Sequence, residues 1–193
     1  MIATSSSANT FFSSPFSSAL IGVIGTLLGT LLGWFLNNQS KKGKIDIHIQ
    51  KWEFNLNGFI DGVISGYTSI KEIAEKGAVY YGCEYKMKLD IYNDSEYNKP
   101  LRDIKVVFAS DNEDLCSMIP NDISYGSKHS ETAPINIPPK SDREFCLGKN
   151  ILKDECEYMK QVTHVFIEYF DEKGKKKRVL VIKESFKEKF EKN

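Results

Sequence analysis

Residues 1–40 contain no Asp, Glu, Lys or Arg, and all 52 charged side chains (26 basic, 26 acidic) fall in residues 41–193. That asymmetry governs every other reading. The run Ala19–Leu36 (ALIGVIGTLLGTLLGWFL) is apolar on every helical face. As a helix it spans roughly 27 Å at about 1.5 Å per residue, close to the hydrocarbon thickness of a bilayer. A helix apolar all round needs either a deep core or lipid, and a chain of 193 residues offers little core to surround it. A secretory leader is disfavoured. Such a leader carries a positive n-region and a small-x-small cleavage site, and neither flanks this run. The sequence therefore predicts a retained transmembrane helix over residues 15–40, with Pro15 at the first helical position, where its missing N–H costs nothing. A Ser-rich, disordered tail (1–14) is expected before it.

The flanks predict orientation. Lys41, Lys42 and Lys44 follow the span within a few residues and form a basic juxtamembrane linker (41–44). Positive residues are retained on the cytoplasmic side, so the N-terminus is expected outside and the C-terminal domain in the cytoplasm. The same lysines can meet anionic headgroups. Trp34 sits near the linker end of the span, at the depth that interfacial aromatics favour.

Within the span Gly25, Gly29 and Gly33 recur every four residues, and Gly22 extends a neighbouring row. Four residues advance about 400° around a helix, so these glycines line one nearly straight groove. A second helix can approach closely there and gain backbone packing. The pattern is a glycine zipper and resembles self-associating membrane helices, including those of some channels. The chain is thus expected to have the bilayer and other copies of itself as partners.

Residues 45–193 read as one β-rich domain. Ile45, Ile47 and Ile49 alternate with Asp46, His48 and Gln50, and the phase then slips to Trp52, Phe54 and Leu56. A period-2 pattern that slips by one predicts a strand with a bulge near Gln50–Lys51. Asn57–Gly58 reads as a turn. Ser69 and Glu72 form a capping box ahead of a short helix over about 70–76, which Gly77 stops. Cys83, Tyr85, Met87, Leu89 and Ile91 share one face of a strand over 79–92, with Glu84, Lys86, Lys88 and Asp90 on the other. This predicts an antiparallel sheet with one wet side. Further strands are expected at about 103–109, 143–147, 162–170 and 177–182. A polar stretch over 110–142 should hold one short strand, 151–161 a helical turn, and 171–174 a hairpin turn. Phe186 and Phe190, four apart, fit a short helix packed on one side.

These elements predict a mainly β chain: an N-terminal transmembrane helix followed by an antiparallel β-sandwich, with a small β-barrel as the alternative. The runs IYNDSEYNKPLRDIKVVF, NIPPKSDREFCL and FIEYFDEKGKKKRVLVI resemble the strand–turn patterns of immunoglobulin-like sandwiches in small bacterial proteins.

The chemistry-bearing residues are sparse. Cys83, Cys116, Cys146 and Cys156 lack the close spacing of a metal site, and in a cytoplasmic domain they are expected to stay reduced, with Cys83 and Cys146 as small core residues on strands. Convergence of Cys146, Cys156 and His164 would be needed for a metal centre. His48, His129 and His164 carry no catalytic motif. Asp111, Glu113 and Asp114 miss calcium-loop spacing and read as solvated. No phosphate-binding glycine loop is present, and neither cofactor nor metal is expected. The run Lys173–Arg178, including Lys175, Lys176, Lys177 and Arg178, is a candidate anion-binding patch or a lysine-guarded hairpin. The neutral balance gives no reason to expect nucleic acid. The expectation is a non-enzymatic, single-pass membrane protein whose β-domain binds a cytoplasmic protein or small ligand. The alternative is a membrane-perturbing effector. Its outline resembles small membrane effectors with β-barrel sensors in bacterial cyclic-nucleotide antiphage systems, and that resemblance implies a cyclic-nucleotide-like ligand.

Overall fold

The computed structural model describes residues 15–40, 43–124 and 130–191. The chain parts into two compact units between Gly43 and Lys44. The expected tail over 1–14 lies outside the described residues, as do Lys41, Lys42 and His129.

The first unit contains α1, Pro15–Ser40. Its stretch Ser17–Gln39 has a mean hydropathy of 2.0 and is long and apolar enough to cross a membrane. The two threonines in its middle donate to the helix backbone, Thr26 Oγ1 to Gly22 O and Thr30 Oγ1 to Thr26 O, each at 2.9 Å. These hydroxyls need no water, which lets the helix tolerate a solvent that offers none.

The second unit is built on β1 (Ile45–Ile60) and β3 (Val79–Asn93), paired antiparallel along most of their lengths. The predicted bulge is present. Ile49 faces Leu89 but Lys51 faces Lys88, so Gln50 is the extra residue. Its insertion places Trp52 opposite Met87, Phe54 opposite Tyr85 and Leu56 opposite Cys83. Without it those three apolar side chains would face water.

Asn57–Gly58 is not a turn. It lies inside β1 at a second register shift, and Gly58 sits under the Tyr67 ring. The turn comes four residues later at Asp61–Gly62, where φ values of 49° and 84° suit the tight hairpin into β2 (Val63–Tyr67). Helix α2 (Ile70–Glu75) follows, capped by Ser69, whose Oγ accepts from Glu72 N at 3.2 Å. Glu72 reaches back one residue further than a simple box, accepting from Thr68 N and Oγ1, both at 2.8 Å. Gly77 ends the helix with φ 70°, while Gly77 N donates to Ala74 O and Ala78 N to Ile73 O.

The remaining strands are β4 (Lys99–Ala109), β5 (Asp114–Met118), β6 (Asn121–Asp122), β7 (Ser130–Glu131), β8 (Ile135–Ile137), β9 (Ser141–Leu152), β10 (His164–Phe170) and β11 (Lys176–Lys183). The polar stretch thus holds four short strands where one was expected. Strand β9 runs well past its expected end, since β3 offers it partners from Asn93 back to Gly82. Among the described residues one sheet has the order β2-β1-β3-β9-β6-β7. The other is β11-β10-β4-β5, with β8 on the start of β4. The two ladders remain separate, which makes a sandwich and excludes the barrel.

Between the sheets lie the alternating side chains of β3 with Ile104, Val106 and Phe108 of β4 and Val165 and Ile167 of β10. Two 3-10 turns (Lys153–Glu155 and Glu157–Gln161) and a C-terminal strap with a third (Lys187–Phe190) pack beside them. The strap delivers Phe186 into the core, 4.4 Å from the Phe54 ring and 6.2 Å from Trp52, with Phe108 at 6.4 Å. Trp52 Nε1 donates to Glu184 Oε2 at 3.2 Å and ties the strap to β1.

Truncating Phe186 to Ala should cost about 3–5 kcal/mol of stability, readable as a lower unfolding midpoint of the detergent-solubilised chain. Gly82→Ala should also destabilise, by about 1–3 kcal/mol, because a Cβ there collides with the carbonyl oxygen of Ile151 on β9.

Candidate functional site

On α1, an added Cβ at Gly22, Gly25, Gly29 or Gly33 would meet nothing within 4 Å. Among the described residues no packing contact requires these glycines. Each lowers helix propensity by about 1 kcal/mol relative to Ala. Trp34 is exposed on the same helix, and Lys44 is exposed at the start of the second unit, where its carbonyl accepts from Asp94 N at 3.0 Å.

The second unit presents an apolar surface at the β1–β2 hairpin. Ile64, Phe59 and Val79 stand opposite one another across three adjacent strands and are 51%, 43% and 66% exposed. Strand β2 ends its sheet, and its sequence VISGY has neither charge nor proline to guard the edge. The hairpin tip lies at the end of β1 remote from the linker. The sequence reading missed this surface. Its signal was compositional: between Glu53 and Lys71 only Asp61 is charged.

The basic run is engaged within its own sheet. Arg178 lies 3.9 Å above the Phe166 ring, and its Nη1 donates to Asp114 Oδ2 at 2.8 Å. Its other near neighbour, Glu168 Oε1, is 3.5 Å away. Glu168 is only 5% exposed and is held by Lys176 Nζ at 2.7 Å. Lys177 lies 3.8 Å from Asp171, while the ammonium groups of Lys173 and Lys175 have no such partner among the described residues. The guanidinium hydrogen bond holds the Asp114 carboxyl below the usual range. Asp114 is therefore paired rather than merely solvated, and among the described residues the run reads as a sheet-stabilising network of Lys176, Lys177 and Arg178.

Asp111 is also engaged. Thr163 Oγ1 lies 2.9 Å from Asp111 Oδ1 and 2.8 Å from His164 Nδ1, and the ring stacks on Phe166. Carboxylate and hydroxyl crowd one ring nitrogen. A nucleophile–base relay places the carboxylate on one nitrogen and the nucleophile on the other, so this arrangement orients the ring instead. Cys146 and His164 do not join Cys156. Cys156 meets Cys83, with the two Sγ atoms 2.7 Å apart and both residues buried. Among the described residues no three His, Cys, Asp or Glu side chains converge as metal ligands.

The open grooves among the described residues include four of about 360 to 440 Å³. Three border the C-terminal strap, with Glu188, Phe190 and Lys189 among their respective walls. None of the four combines an arginine with a tyrosine.

Two antiparallel sheets around an alternating core, preceded by one apolar helix, define an immunoglobulin-like protein with an N-terminal segment suited to lipid. The chain belongs to the family described as the YopI Ig-like domain, whose model matches residues 43–182. It is 26% identical over 168 residues to the SPbeta prophage-derived uncharacterized protein YopI of Bacillus subtilis (strain 168), covering 83% of this chain and 92% of that one. A crystal structure assigned to the ApaA protein of Bordetella pertussis overlaps 74% of this chain and 91% of its own. Its TM-score is 0.36 at 8% identity, a likeness too low to carry an argument.

Arg178→Ala should lower stability by about 1–2 kcal/mol by removing the stacked cation and loosening Glu168. Lys175→Ala should stay within about 0.5 kcal/mol of the parent. Denaturant titrations of the two variants check this, and equal effects would dissolve the distinction between the network and Lys175.

Proposed function

We propose that this protein is a non-enzymatic, single-pass membrane anchor that self-associates through α1 and presents its immunoglobulin-like domain to a protein partner in the cytoplasm. The observation that carries the reading is the row of open glycines. Gly25, Gly29 and Gly33 weaken the helix and serve no packing contact among the described residues. Close approach of a second helix gives them a purpose. Internal bonding of Thr26 and Thr30 supports placement in lipid.

Orientation rests on Lys41, Lys42 and Lys44, which favour retention of the following domain on the cytoplasmic side. The packed core and the open grooves favour protein contact over an enclosed ligand. The apolar row Ile64–Phe59–Val79 beside the unguarded β2 edge is the surface we assign to that partner. An extended segment could add to this edge as a further strand, with main-chain hydrogen bonds supplying affinity.

Crosslinking in isolated membranes should give a ladder of oligomers that collapses in Gly29→Leu, since a leucine fills the groove. An unchanged ladder removes the zipper. Protease added to intact cells should leave the β-domain whole and digest it only after lysis. Digestion in intact cells reverses the topology. A dye excluded by the bilayer should stay out during overexpression, whereas dye entry would favour the pore-forming alternative.

A further inference from the structure

Cys83 and Cys156 are 73 positions apart in sequence, yet their sulfurs lie 2.7 Å apart. Cys83 projects from the core face of β3. Cys156 stands at the junction of the two 3-10 turns, where its N–H donates to Lys153 O and its carbonyl accepts from Met159 N. The second turn carries Met159 into the core, with Val162 buried just after it. The strap hangs on the same segment: Phe186 N donates to Val162 O at 3.1 Å and Glu184 N to Thr163 O at 3.1 Å. One sulfur therefore belongs to the rigid sheet and the other to the cap that closes the sandwich around Phe186.

We propose that Cys83 and Cys156 form a redox-responsive pair, oxidised by hydrogen peroxide to a disulfide that fastens this cap to β3. The two thiols are chemically unequal. Contact between the two sulfurs, in which either can be the donor, holds Cys156 below its usual range and, with burial, raises Cys83. Cys156, which stands on the cap rather than in the rigid sheet, is the sulfur we assign as the nucleophile. Its thiolate attacks one peroxide oxygen, the O–O bond breaks, and the departing hydroxide takes up the proton that the Cys156 thiol released. Cys156 becomes a sulfenic acid and the first water forms. The Cys83 sulfur then attacks the Cys156 sulfur. The S–O bond breaks, the S–S bond forms, and hydroxide leaves with the Cys83 proton as the second water. Two thiols lose two electrons and two protons, and one peroxide becomes two waters. A thiol reductant reverses the change. Cys116 is the rival thiol. It lies half-buried on β5, and burial raises it, which disfavours its thiolate.

The test uses the full-length protein in detergent from unstressed cells, one portion unfolded and alkylated at once and the other treated with peroxide before it is unfolded and alkylated. The expected result is two alkylated thiols before peroxide and a linked Cys83–Cys156 peptide after it, returned to thiols by reductant. Trypsin cleavage at Lys160 and Lys187 should slow roughly tenfold in the oxidised form, because opening of the cap then works against a covalent tie. Cys83→Ser and Cys156→Ser should abolish both effects, and Cys116→Ser should leave both intact. The wild-type comparison stands even where a serine variant folds poorly. The proposal is overturned if Cys83 and Cys156 both remain alkylatable after peroxide, if either links to Cys116 or Cys146 instead, or if the bond is already complete in unstressed cells.

Discussion

The β-domain depends on the double-sided pairing of β3. One edge of that strand meets β1 and the other meets β9, from Gly82 to Asn93. Its inner face carries five side chains that are almost wholly buried. Burying each contributes roughly 1.5–3 kcal/mol relative to leaving it in water, as an upper estimate. A slip of one residue would expose all five and bury Glu84, Lys86, Lys88 and Asp90. Register is therefore the dominant constraint, and other features serve it. The extra residue at Gln50 keeps β1 in phase with β3. Gly82 lets β9 approach where any side chain would obstruct it.

The second sheet solves a different problem. Its outer face holds Glu168, a carboxylate with little water around it, and answers it with Lys176 and Arg178. The lysine-rich hairpin resembles an anion-binding patch when read as a string, yet most of its charge is spent at home. The surface that remains available is the opposite kind: a hairpin charged only at its Asp61 turn and a bare sheet edge. For a domain whose remaining surface is dense in charge, that contrast directs a binding hypothesis toward apolar, strand-like contact.

The closing segment links stability with chemistry. Phe186 completes the aromatic cluster of Trp52, Phe54 and Phe108, and it arrives from beyond the region that the family model covers, which ends at residue 182. Cap and strap share hydrogen bonds around Val162 and Thr163. A tie at Cys156 would be transmitted to Phe186 without any new contact.

Much of this was legible in residue order, because local periodicity and local chemistry control it. The charge-free helix, the alternating face of β3, the phase slip at Gln50 and the Ser69–Glu72 cap all follow from neighbours a few positions apart. Strands of two to five residues in the polar stretch left no periodic signal, since so short a run holds barely one alternation. The length of β9 came from its partner rather than from its own composition. The pairing of Cys83 with Cys156, of Asp111 with Thr163 and His164, and of Arg178 with Asp114 was invisible in the string. Each joins residues more than fifty positions apart, and their meeting depends on how two sheets are stacked and closed, a property of long-range packing that no local pattern encodes.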